Sequence, residues 1–147
     1  MPASERAVVE SKKTPTALAS GDEVILLVDD EDYILGIGKE MLEALGYTVL
    51  TAGSGADAVE AYQHSQDNIQ LVILDMVMPG MNGVQTFGRL RAINPNVRTL
   101  LASGYSLNKD AAEVIQRGCN GFIQKPFDIS QLSQKVREIL DQSQPER

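Results

Sequence analysis

Residues 71–83 read LVILDMVMPGMNG, and the fold follows from how that stretch is built. Leu71, Val72, Ile73 and Leu74 form an apolar run with no polar alternation. A strand of that kind is buried on both faces, the condition of a strand inside a parallel sheet covered by helices. The run stops on Asp75, and Pro79 and Gly80 then supply a turn. A buried strand that ends on a carboxylate carries that charge to the edge where open parallel sheets bind their ligands.

The same pattern recurs on both sides. EVILLV, from Glu23, is a second apolar run, and it closes on the acidic cluster DDED at 29–32. Ile34, Ile37, Met41 and Leu45 then recur at helical spacing, and Gly46 stands where a left-handed stop residue belongs. Gly36 and Gly38 weaken that helix, and Asp32 is a candidate cap. YTVLTA is a strand, and SGADAVEAYQHSQ is a helix with Ser54 as its cap. Downstream of Asp75 the spacing predicts a helix near 83–93 closed by Pro95 and a strand VRTLLAS ending at Ser103. A helix around 109–117 stopped by Gly118, a short strand GFIQK and a last helix carrying Leu132, Val136, Ile139 and Leu140 complete the chain. Five strands alternating with five helices imply right-handed crossovers and a doubly wound α/β domain with a five-stranded parallel sheet, (βα)5.

Composition narrows the function. At 147 residues, 43% of them hydrophobic and none tryptophan, the chain accommodates one domain. A net charge of -7 argues against direct nucleic-acid binding, which needs clustered Lys and Arg. Cys119 is the only cysteine, which excludes an intramolecular disulfide and a cysteine zinc site; it reads as a packing residue in a reducing compartment. No apolar run is long enough to span a membrane, and MPASERAVVESKK lacks the apolar core of a secretion signal, so the expected location is cytoplasmic, without membrane contact by this segment. Residues 1–22 read as a flexible leader or linker, 23–142 as the domain and 143–147 as a polar tail.

The residues that end the strands carry the chemistry. They are Asp29 and Asp30, Asp75, Ser103 and Lys125. Three carboxylates brought together repel one another unless a cation lies between them, and Mg²⁺, which takes oxygen ligands and often only one or two carboxylates, suits the set. Lys125, held before Pro126 where the chain is extended, adds a placed positive charge, and Ser103 adds a hydroxyl donor. Such a site fits an incoming phosphoryl group, whose transfer needs alignment and charge neutralisation.

DD at 29 and 30, LVILDMVMPGMNG around Asp75, LLASGY around Ser103 and GFIQKPF around Lys125 resemble, in order and position, the receiver domains of two-component response regulators. The resemblance covers residues 24 to about 141. It implies a flavodoxin-like receiver fold and phosphorylation of Asp75, the nucleophile. It implies Mg²⁺ on Asp30, Asp75 and the Val77 backbone carbonyl, with Asp29 assisting through water. It further implies Ser103 on a phosphoryl oxygen, Lys125 bridging to the acyl phosphate and a cis bond before Pro126. Phe122 matches the family's switch aromatic, which moves with Ser103; a plain core role is the alternative. Ser103 departs from the commoner Thr by one methyl. Val77 and Tyr105 match the positions flanking the path of the water that attacks the acyl phosphate. Val77 has no group to hold that water and Tyr105 is bulky, so slow self-dephosphorylation is expected. The implied partner is a histidine kinase or histidine phosphotransfer domain, and the domain is expected to catalyse its own phosphorylation and dephosphorylation. PASERAV at the start and SGYS at 103–106 resemble segments of hybrid sensor kinases, which favours a hybrid-kinase receiver over a free-standing regulator.

Other readings compete for the same residues. GSGADA at 53–58 matches Gly-x-Gly-x-x-Ala with Asp75 about 20 residues on, the pattern of a dinucleotide-binding oxidoreductase, but Asp57 would stand where pyrophosphate binds. A phosphatase with a strand-end Asp nucleophile needs a second Asp two residues later, and Val77 stands there. A receiver that binds partners without phosphorylation is a third reading, against which the complete acidic set weighs. Met76, Met78 and Met81 form either an adaptable apolar rim for a partner or loop packing, and His64 reads as a surface residue.

Overall fold

A computed structural model of the chain describes residues 20–76, 78, 80–104, 109–125 and 127–142. Within them, β1 (Val24–Val28), β2 (Thr48–Ala52), β3 (Ile69–Asp75), β4 (Thr99–Ser103) and β5 (Gly121–Gln124) alternate with α1 (Asp32–Ala44), α2 (Gly55–Ser65), α3 (Gly83–Ile93), α4 (Lys109–Gln116) and α5 (Ile129–Leu140). The strands make one parallel sheet in the order β2-β1-β3-β4-β5. Element ends lie within a residue or two of those expected; Tyr47, Val97, Arg98 and Lys125 fall just outside their strands.

The apolar runs lack polar alternation because both faces of the sheet are covered. Leu26, Val28, Val72, Leu74 and Leu101 pack on one face against Ala58, Tyr62, Phe87, Leu90 and Val114 of α2, α3 and α4. Ile25, Leu27, Leu71, Ile73 and Leu100 pack on the other against Leu42, Leu132, Val136 and Ile139 of α1 and α5. The chain leaves β1 toward β2 on one side and returns to β3 on the other, so the order reverses between β1 and β3. The C-terminal ends of those two strands frame the crevice that a doubly wound sheet offers to ligands.

Two expectations about α1 need correction. The stripe that faces the core is Gly38, Leu42 and Leu45, whereas Ile34, Ile37 and Met41 are only half-buried. The helix is rotated because Gly38 lets it close on β1: a Cβ there would stand 2.8 Å from Leu27 Cδ2. The cap position belongs to Glu31, whose side chain makes no capping bond, and Asp32 is the first helical residue. There its charge complements the positive end of the helix dipole.

The stops and the other caps are as expected or better. Gly46 has φ 103°, and Ser54 Oγ accepts from Asp57 N. Asn82 and Asp128 form capping boxes with Gln85 and Gln131. At the pole of the sheet opposite the crevice, Gly21 N donates to Leu45 O at 3.1 Å, and Arg137 of α5 pairs with Glu23 at 2.8 Å. Arg98 caps the end of α5 by donating to Leu140 O (2.9 Å) and Gln142 O (2.6 Å).

Candidate functional site

Backbone bonds between neighbouring strands bring the predicted residues to one place. Asp29 follows β1 with its N–H donating to Ala52 O (3.2 Å), and Met76 N, just past Asp75, donates to Ala102 O (2.9 Å). Lys125 N donates to Ser103 O at 2.7 Å, which joins the ends of β4 and β5. Asp29 and Asp75 are each 3% exposed and Ser103 is 1% exposed, whereas Asp30 faces solvent. One carboxylate oxygen from each of Asp29, Asp30 and Asp75 lies within 4.8 Å of the others.

Lys125 reaches into this cluster. Its Nζ donates to Asp29 Oδ2 at 3.0 Å and stands 3.1 Å from Asp75 Oδ1. Burial works against the ammonium charge, yet the Asp29 hydrogen bond and the Asp75 charge outweigh it and raise the lysine pKa above its ordinary value. Asp29 Oδ1 accepts from Glu31 N at 3.0 Å, so both oxygens of that carboxylate have partners and its geometry is held from two sides.

The donor set fits a hard divalent cation. It is all oxygen and combines a buried, oriented carboxylate with an exposed one, Asp30, that opens to solvent. Three negative charges against the single positive charge of Lys125 further favour a dication.

Gly83 is a site residue that sequence reasoning missed. Its N–H donates to Met76 O at 3.0 Å, and a Cβ there would stand 2.9 Å from Asp75 O and 2.8 Å from Met76 Cα. The first residue of α3 thus presses on the backbone that carries Asp75, and a side chain would push it away. The only signal in the sequence is a Gly right after the capping Asn82.

The remaining expectations divide. Phe122 is half-buried and packs against the core on the α2–α4 side. Val77, Tyr105 and Pro126 lie outside the described residues. Met76 and Met78 are buried and Met81 packs against the same core, so the methionines are loop packing and do not form a rim. Gly55 approaches α3 so closely that a Cβ would meet Thr86 Oγ1 at 2.3 Å, so this glycine of the string serves helix packing, whereas a Cβ on Gly53 would meet nothing within 4 Å. His64 is exposed with Nδ1 2.8 Å from Glu60 O. Cys119 is buried, its Sγ 3.3 Å from Thr99 O, and burial pushes its thiol pKa up.

A groove of about 480 Å³ runs from Lys125 along α1, lined by Glu31, Tyr33, Ile37, Met41 and Phe127 among others. The half-buried stripe of α1 is therefore one wall of a groove that reaches Lys125.

A strand-end carboxylate cluster with a lysine across it, at the switch point of a (βα)5 sheet, defines a class of phosphoacceptor domain. The model of the response regulator receiver domain matches residues 25–137, and the chain belongs to that family. A receiver domain protein from Clostridium thermocellum superposes with TM-score 0.78 at 28% identity, covering 81% of this chain and 94% of that one. The receiver domain of NtrX from Brucella abortus superposes with TM-score 0.74 at 28% identity, covering 81% and 99%. Among curated proteins, the sensor kinase CckA of Brucella abortus is 34% identical over 135 residues, 92% of this chain and 14% of that protein. The transcriptional regulatory protein GlrR of Escherichia coli is 32% identical over 121 residues, 82% of this chain and 27% of that protein. The chain thus spans a minor part of the length of these two relatives. Among the described residues, no helix is long and apolar enough to cross a membrane.

Proposed function

We propose that this receiver domain, a phosphoacceptor switch of two-component signalling, takes a phosphoryl group onto Asp75 from a phosphohistidine of a histidine kinase or phosphotransfer domain. The observation that carries the assignment is the Lys125 ammonium 3.1 Å from Asp75 Oδ1, beside two further carboxylates at a switch point. An Asp75 oxygen attacks phosphorus in line, the P–N bond to the donor imidazole breaks, and the imidazole leaves with the bonding pair. Asp29, Asp30 and Asp75 would hold Mg²⁺, which when bound neutralises charge on the phosphoryl oxygens. Lys125 holds Asp75 in place before the reaction and is free to meet the new phosphoryl oxygens afterwards. Ser103, buried beside it, supplies a hydroxyl whose movement would be read through Phe122. A partner that prefers one of the two conformations then reads the switch.

The roles of Val77, Tyr105 and Pro126 rest on the family resemblance. Origin in a cytoplasmic hybrid histidine kinase is favoured by the match to a sensor kinase, which extends over 92% of the chain. A free-standing regulator is the second reading, since the Clostridium receiver is itself covered to 94% of its length. Beryllofluoride and Mg²⁺ accompany CheY in a Borrelia burgdorferi complex with CheX (TM-score 0.76, 26% identity), which makes the same pair the natural probe here.

The test is intact-protein mass spectrometry with acetyl phosphate. One phosphoryl group is expected with Mg²⁺, none with chelator and none on Asp75→Asn. Normal labelling of the Asn variant would remove Asp75 as acceptor, and labelling undiminished by chelator would remove the metal.

A further inference from the structure

We infer that Glu31 and Asp32 make the site selective against small, free phosphoanion donors, so that the phosphoryl group is accepted preferentially from a donor that brings positive charge with it. The inference rests on the reading of Asp75 as phosphoacceptor and concerns which donors reach it. Inside the site, Lys125 and one divalent cation, once bound, would balance Asp29, Asp30 and Asp75. Glu31 and Asp32 add two negative charges beyond that balance. Both are exposed, and among the described residues neither has an ion-pair partner. The partial positive charge at the start of α1, about half a unit, offsets only part of them.

A second observation makes these charges matter. Glu31 and Lys125 line the same groove beside α1, so an anion in that groove lies near Glu31 as well as near the lysine that contacts Asp75. Tyr33, 75% exposed, stands on the same wall one residue beyond Asp32. A free dianion there is repelled by the two carboxylates that exceed the balance of the site. A protein donor with Lys or Arg beside its phosphohistidine is attracted by the same two carboxylates. Electrostatics of this kind act mainly on the rate of encounter and are weakened by salt.

The experiment compares wild type, Glu31→Gln and the double variant Glu31→Gln/Asp32→Asn. Labelling rates are measured with acetyl phosphate and with phosphoramidate, which carries less net negative charge. Mg²⁺ is kept saturating, and each protein's thermal melt is recorded to establish that it folds. The Gln at 31 removes a charge and no capping bond, because the Glu31 side chain makes none. At low ionic strength, where charges act over roughly 30 Å, the double variant should label about three- to tenfold faster with acetyl phosphate. The gain should be smaller with phosphoramidate and should vanish near 1 M salt, where the range falls to about 3 Å. Equal rates for wild type and variants at low salt, or an acceleration that salt does not remove, would overturn the inference and leave the acceptor assignment standing. No label from either donor in any folded protein would overturn the acceptor assignment, and the inference with it.

Discussion

Lys125 holds two buried carboxylates, and this decides what happens when it is lost. Asp29 and Asp75 are 3% exposed, so removing the ammonium leaves two like charges close together with little water to screen them. Lys125→Met is expected to lower stability in chelator by about 3–5 kcal/mol, the range for breaking a buried pair from one side. Saturating Mg²⁺ should restore much of that, because a cation between the carboxylates replaces the missing charge. Urea denaturation of both proteins, with and without Mg²⁺, measures it; equal losses in the two conditions would count against a metal between these carboxylates. The pH dependence has a definite sign. The folded-state pKa of Lys125 is raised, so its contribution is complete below the unfolded value of about 10.4 and is lost only as pH climbs through the folded value. Between neutrality and pH 9 the wild-type advantage from this lysine should therefore stay level. These residues were legible in the sequence because a polar residue that terminates an apolar run is conspicuous. Gly83 was not, because its constraint is the backbone of Asp75 and Met76 lying against it, a contact between chain segments that no local pattern records.

Helix α1 marks where periodicity stops being informative. Ile34, Ile37 and Met41 make as good a helical stripe as Leu35, Gly38 and Leu42, and the apolar residues cover more than one face of the cylinder. The choice between the stripes is made by Gly38, whose missing side chain admits Leu27 and turns the helix until Leu42 and Leu45 are inside. Burial then predicts unequal costs. Leu42→Ala, at a fully buried position, is expected to cost about 2–5 kcal/mol, and Ile37→Ala, on the groove wall, about 1 kcal/mol. Chemical denaturation of the two variants checks the order, and an equal or larger loss at Ile37 would mean that the predicted stripe was the inward one after all. Helices whose apolar faces were single, such as α5 with Leu132, Val136 and Ile139, were read correctly for that reason.

Across the whole molecule, activity and anchorage sit at opposite poles. The carboxylates lie at the C-terminal ends of β1 and β3, while Gly21, Glu23, Arg98 and the end of α5 meet at the other end of the sheet. Helix α5 spans that distance, its 12 residues rising about 18 Å from the Asp128 cap, three residues after Lys125, to the carbonyls that Arg98 holds. The arginine joint was not readable from sequence, because Arg137 and Glu23 are 114 residues apart and each looks like an ordinary surface charge. Its geometry is tight: a Cβ on Gly46 would stand 2.4 Å from Gly21 O, and one on Gly21 would stand 2.4 Å from Arg137 Nη1.

That joint also brings the segment entering β1 to the end of α5: Gly21 and Glu23 lie against Arg137, which pairs in turn with Asp141. A circular permutant should exploit this. Residue 142 would be tied to residue 20 by a short Gly/Ser linker, and the chain reopened between Asp67 and Asn68, which are exposed in the turn between α2 and β3. The permuted chain is expected to unfold in one cooperative transition and to respond to Mg²⁺ in melting temperature as the unpermuted chain does. Loss of the cooperative transition would show that the joint needs the original connectivity. Retention would mean that the receiver can be spliced into the middle of a longer polypeptide, entering and leaving through one doorway, with its reactive end turned outward.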